Sequence, residues 1–108
     1  MSFEVSKQAV EAAAERIGPH ILETPVVEAP SLSSETGCEV LLKLENIQKT
    51  GSFKIRGALN KVLQLTDAEK AAGIVTASSG NHGAAVSKAA QIAGGKVDIY
   101  VPEGASPA

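Results

Sequence analysis

Apolar residues recur along the chain in two rhythms. Val10, Ala13, Ala14 and Ile17 stand at the offsets 0, 3, 4 and 7 that share one helix face. Ser6 is placed to cap that helix, and Gly18-Pro19 to stop it. Ile55, Leu59, Val62 and Leu63 form a second stripe of the same kind, opened by Ser52 as the cap. Thr66-Asp67-Ala68-Glu69 has the form of a capping box, which predicts a brief helix ending at Gly73. A glycine-rich turn at residues 79–83 leads into an alanine-rich helix that closes at Gly94-Gly95. Shorter apolar runs at 39–45, 74–78 and 96–102 read as strands, the second of them buried. Residues 20–37 hold Pro25 and Pro30 among several Ser and Thr, and read as irregular chain with a short helix over Ser31 to Thr36.

A strand, a helix and a strand in succession imply a right-handed βαβ unit. The fold class expected is therefore α/β, an open and mainly parallel sheet with flanking helices. At the far end, Ser106-Pro107 has the form of an N-cap and an N1 proline. That start signal leads to the expectation that the 108 residues are the front part of something longer.

Composition removes several classes of function. Lys plus Arg total 10 against 12 Asp plus Glu, and no basic stripe occurs, so nucleic acid is not an expected partner. Gly80-Asn81-His82-Gly83 has the GxxG form of an RNA-binding loop, but its flanks are alanine-rich and not basic. Two Phe and one Tyr offer little for stacking on bases. Cys38 stands alone, excluding an intrachain disulfide, and is expected to be a small buried hydrophobe. His20 and His82 lie far apart with no acidic cluster, so no metal is expected. No apolar run of ~20 residues suggests a membrane span. The N-terminus lacks a basic start followed by an apolar run, so a cytoplasmic location is the default expectation.

Two segments carry candidate chemistry. With Ser52 as the cap, Lys54 falls on the first turn of a helix, where the aligned peptide dipoles disfavour a cation. A lysine biased toward its neutral amine suits attack on an aldehyde. The same position also suits a solvated surface lysine that tolerates a small penalty. The second segment is "ASSGNHGAA", Ala77 to Ala85, at the carboxyl end of an expected parallel strand, where ligands of open α/β sheets bind. Backbone N–H groups of Gly80, Asn81 and His82, with the hydroxyls of Ser78 and Ser79, would hold a small anion. An ordinary capped helix start explains the same residues. Dinucleotide, P-loop and nucleophile-elbow patterns are not met, since Thr76 stands where the last would need glycine.

"TPVVEAPSLS", "LLKLENIQKTGSFKIRGALNKV" and "TASSGNHGAAVSKAA" together resemble the N-terminal part of the fold-type II pyridoxal phosphate enzymes. Within that group they are most similar to serine/threonine dehydratases and serine racemases, over a stretch from about Thr24 onward. The resemblance implies a two-domain protein, with residues 1–52 opening the large domain and 53–108 forming most of the small-domain core. It implies pyridoxal 5'-phosphate as cofactor, joined to Lys54, with Phe53 beside its ring and Asn81 on its phenolic oxygen. Ser78, Ser79, Gly80, Asn81 and His82 would bind the substrate carboxylate, and Ser79 would serve in racemases as the acid/base opposite the lysine.

The implied activity is loss of water and then ammonia from L-threonine or L-serine, with serine racemisation as the alternative. A homo-oligomer of the full-length protein is implied as well. The family's glycine-rich loop for the cofactor phosphate is expected beyond Ala108, so the 108 residues alone are expected to be inactive. A different class, a non-catalytic interaction module exposing an apolar patch, is the contrasting expectation.

Overall fold

A computed structural model describes residues 5–106. Pro107, half of the expected terminal helix start, lies outside the described residues. The first helix, α1, runs Lys7–Ile17, with the Ser6 hydroxyl accepting the Ala9 N–H. A short ribbon follows, β1 (Val26–Glu28) antiparallel to β2 (Leu41–Lys43), with helix α2 (Pro30–Thr36) between them. Then come α3 (Lys54–Val62), α4 (Asp67–Ala72), β3 (Ile74–Ala77), α5 (Asn81–Ala93) and β4 (Val97–Tyr100). β3 and β4 pair in parallel, from Ile74 opposite Val97 to Ala77 opposite Tyr100, with α5 as the connection. The protein is α/β, with one parallel pair and one antiparallel ribbon.

The core lies between α3 and α5. Ile55 and Leu59 of α3 are fully buried, with Ala58 and Val62 on the same stripe. They meet Ala85, Val86 and Ala89 of α5, whose small side chains let the two helices approach closely. Ile17 closes one end of this cluster, and Ile74 and Val97 lean on it from the sheet. The capping box of α4 forms as its sequence requires. The Thr66 hydroxyl accepts the Glu69 N–H at 3.2 Å, and the Glu69 carboxylate accepts the Thr66 N–H at 2.8 Å.

Four expectations are corrected. Residues 26–28 are a strand and not irregular chain. Pro25 does not block the pairing, because it supplies only its carbonyl, which accepts the Leu44 N–H at 3.0 Å. The strand 74–78 is not buried on both sides: α5 covers one face, while Val75 on the other is 66% exposed and Tyr100, on the same face of β4, 67%. The apolar stripe of α1 is buried only at Ile17, with Val10 exposed, since only the end of the helix reaches the core. Cys38 is exposed, because it follows the left-handed Gly37 that turns the chain off α2 toward β2.

Replacing Leu59 by Ala should cost about 2–5 kcal/mol, as expected for an aliphatic side chain removed from a packed core. Val75→Ser should stay within about 0.5 kcal/mol, since the side chain faces solvent. Urea denaturation of both variants checks the contrast, and equal losses would mislocate the core.

Candidate active site at two helix starts

The loop before α3 is organised by polar side chains. Gln48 is only 4% exposed, and both ends of its amide are used. Its Oε1 accepts the N–H groups of Leu22 at 2.9 Å and Lys49 at 3.0 Å, while its Nε2 donates to the Leu22 carbonyl at 2.9 Å. Glu45 lies beside it in a short 3₁₀ turn. Its carboxylate accepts the Thr24 hydroxyl at 2.5 Å, the Arg56 Nη2 at 3.1 Å and, on its other oxygen, the Arg56 Nε. Planar fork-to-carboxylate pairing of this kind fixes direction as well as distance. The Gly51 N–H donates to the Gln48 carbonyl at 2.8 Å, and Gly51 takes φ +76°, a turn that strains any other residue.

This turn delivers the chain to α3. Phe53, and not Ser52, occupies the capping position, so Lys54 is the first helical residue. The Ser52 hydroxyl accepts the Lys54 N–H only at 3.4 Å. Lys54 is exposed, and its Nζ sits 5.5 Å from the centre of the Phe53 ring, which is itself 61% exposed. Among the described residues the Lys54 amine has no hydrogen-bond or ion-pair partner.

The start of α5 is built differently. Ser78 continues β3, its N–H donating to the Tyr100 carbonyl at 3.0 Å. Its hydroxyl accepts the N–H groups of Gly80 at 3.2 Å and Gly83 at 3.0 Å, so Ser78 caps α5 from two residues before Gly80, which is the N-cap. The Gly80 N–H, expected as an anion donor, is therefore engaged. The N–H groups of Asn81 and His82 and the hydroxyl of Ser79 have no partner among the described residues. Gly83 packs the helix start against the strand ends. A Cβ there would meet the Ser78 carbonyl at 3.3 Å and Ile99 Cγ2 at 3.4 Å.

The structure thus joins Lys54 to Phe53, and Ser78 to Ser79 and Gly80. The latter three line a cleft of about 450 Å³ with Ile99 and Val101. His82 instead lines an apolar cleft of about 360 Å³ with Ala58, Val62 and Val86. Lys54, Phe53 and Asn81 line neither. The described residues place the two groups on the paired helices α3 and α5 without enclosing them in one pocket. No cluster of three metal-ligating side chains occurs among the described residues, and none of their helices is long and apolar enough to cross a membrane. The Thr24–Glu45–Gln48–Arg56 network was not legible from spacing. Its only sequence signal is the run of polar residues in "KLENIQ" followed by an arginine at 56.

Residues 17–108 match the sequence model of a family described as "Pyridoxal-phosphate dependent enzyme". Serine racemase from Arabidopsis thaliana is 53% identical over 97 residues, covering 89% of this chain and 29% of that protein. L-threonine ammonia-lyase from Thermotoga maritima is 51% identical over 79 residues, covering 73% of this chain and 20% of that protein. The solved maize serine racemase superposes with a TM-score of 0.86 at 38% identity, covering 96% of this chain and 32% of that one. The chain spans less than a third of the length of each of these relatives.

The Arg56 fork, aided by Thr24 and Gln48 and opposed by burial, holds the Glu45 carboxyl down from 4.5 to about 2. A lowered folded-state value means that the unfolded chain binds more protons below pH 4.5. The contribution is complete above that pH and is lost as pH falls toward about 2. Glu45→Gln should cost about 1.5–3 kcal/mol at neutral pH. It should also flatten the fall in denaturation midpoint between pH 4.5 and about 2. A midpoint that keeps the wild-type acid dependence would remove Glu45 from this role.

Proposed function

Because the chain belongs to the pyridoxal-phosphate dependent enzymes, we propose that it is the lysine-bearing portion of a serine/threonine dehydratase. The reaction eliminates water and then ammonia from L-threonine or L-serine to give a 2-oxo acid. On this reading residues 1–52 begin the large domain and 53–108 supply most of the small-domain core.

The observation that carries the proposal is the Lys54 amine, exposed on the first turn of α3 with an aromatic ring beside it and no competing partner among the described residues. Its donor set suits an aromatic aldehyde: a free amine to bond the carbonyl carbon and a ring to lie along the cofactor. Phe53 would flank the cofactor and the Asn81 side chain would hold its phenolic oxygen. When bound, the cofactor supplies an electron sink that stabilises charge left at Cα.

The chain's own residues do the rest. Lys54 Nζ would hold the cofactor and would take the substrate α-proton as general base. The substrate carboxylate would rest at the start of α5, on the Asn81 and His82 N–H groups and the Ser79 hydroxyl, at the positive end of the helix dipole. The neighbouring Gly80 completes the bend around that carboxylate, and Ser78 holds the bend in shape through its two accepted N–H bonds. A second reading, serine racemisation, is favoured by the exposed Ser79 hydroxyl, which would return a proton to the face opposite Lys54.

A version of the protein at the length of its relatives, supplied with pyridoxal phosphate, should develop a visible absorbance band that Lys54→Ala abolishes. It should also release 2-oxobutyrate or pyruvate. A band that survives Lys54→Ala would remove Lys54 from its role. Formation of D-serine without a 2-oxo acid would replace the dehydratase reading by the racemase one.

A further inference from the structure

The first turn of a helix is the part least held by its own backbone, since its N–H groups have no intrahelical acceptors. Three helices here answer with a capping hydroxyl: Ser6 for α1, Thr66 for α4 and Ser78 for α5. Helix α3 has no comparable cap. Phe53 offers no side-chain acceptor, and the Ser52 contact is long for a hydrogen bond. The turn that carries Lys54 is therefore left free to fray by local chemistry, as is that of α2, whose Ala29 cap also has no side-chain acceptor.

Tertiary contacts hold it instead. Successive helical residues point about 100° apart. Ile55 is fully buried in the core, which fixes one direction of the turn. Arg56, the next direction round, is forked onto Glu45. Lys54, on the other side of Ile55, is left pointing to solvent. Glu45 is itself anchored by Thr24, and the Thr24 carbonyl accepts the Lys43 ammonium at 2.6 Å. Gln48 ties the same loop to both backbone groups of Leu22.

We infer that the Glu45–Arg56 pair is a positioning device that stands in for the missing cap of α3. It fixes the rotation of the first turn and so presents the Lys54 amine ready to receive an aldehyde. This rests on the reading of Lys54 as the amine that takes the cofactor. The pair acts through Lys54 and touches neither cofactor nor substrate.

The test compares the wild type with Glu45→Gln, Arg56→Lys and Leu59→Val, the last lowering stability without touching the first turn. Amide hydrogen exchange is measured at Arg56, whose N–H donates to the Phe53 carbonyl at 3.0 Å, relative to 58–62 in the same helix, so a global loss of stability cancels. The rate at which the visible band forms on adding pyridoxal phosphate is measured in parallel.

Glu45→Gln and Arg56→Lys should speed exchange at position 56 selectively. They should also slow band formation about tenfold, the effect of losing an ordering hydrogen bond to a charged group. Leu59→Val should change neither ratio nor rate beyond its loss of stability. Wild-type exchange ratios and rates in both pair variants, with a band that still depends on Lys54, would overturn this inference alone. Equal slowing in Leu59→Val would also overturn it, as an effect of stability and not of position. Band formation indifferent to Lys54→Ala would instead remove the reading beneath it.

Discussion

The arrangement of this protein depends on one charged contact, the fork of Arg56 on Glu45. It joins the loop that follows the β1–β2 ribbon to the helix that forms half of the core. A pair withdrawn from water carries a desolvation cost, which attraction offsets only when the remaining hydrogen-bonding capacity is also filled. That condition is met here, because Thr24 and Gln48 occupy the rest of the carboxylate. The neighbouring Gln48 amide is satisfied at both ends by backbone groups. Loop, ribbon and helix start are therefore tied together by hydrogen bonds.

The two helix starts then divide the chemistry. α3 brings an amine and an aromatic ring to its beginning, held by tertiary contacts with little local capping. α5 brings unpaired N–H groups and a hydroxyl, with the local cap of Ser78 holding its bend. The buried stripe of Ile55, Leu59, Ala85 and Ala89 keeps both helices in one unit.

Local rules made much of this legible. The capping box at Thr66–Glu69, the stripe of α3, the glycine stop of α5 and the parallel β3–β4 pair all follow from residues within one element or its immediate neighbours. What sequence left hidden depends on distant partners. β1 is three residues between prolines, and becomes a strand only because residues 41–43 return beside it. The exposure of Val75 depends on which face α5 covers. The one-residue shift from Ser52 to Phe53 as the cap of α3 arises where helix starts are least determined. Lys54, Ser79 and Asn81 were visible as candidates because helix starts concentrate unpaired donors. Glu45 and Arg56 were not, since nothing in their separation along the chain announces a fork.

Lys54 is the amine we propose this scaffold presents to the cofactor. The most direct measurement is a peptide map of the protein after exposure to pyridoxal phosphate and fixation with borohydride. The label should fall on the peptide containing Lys54, well ahead of Lys49 and Lys61 on either side of it in sequence. Label spread evenly over the exposed lysines, or concentrated on any lysine other than Lys54, would contradict it.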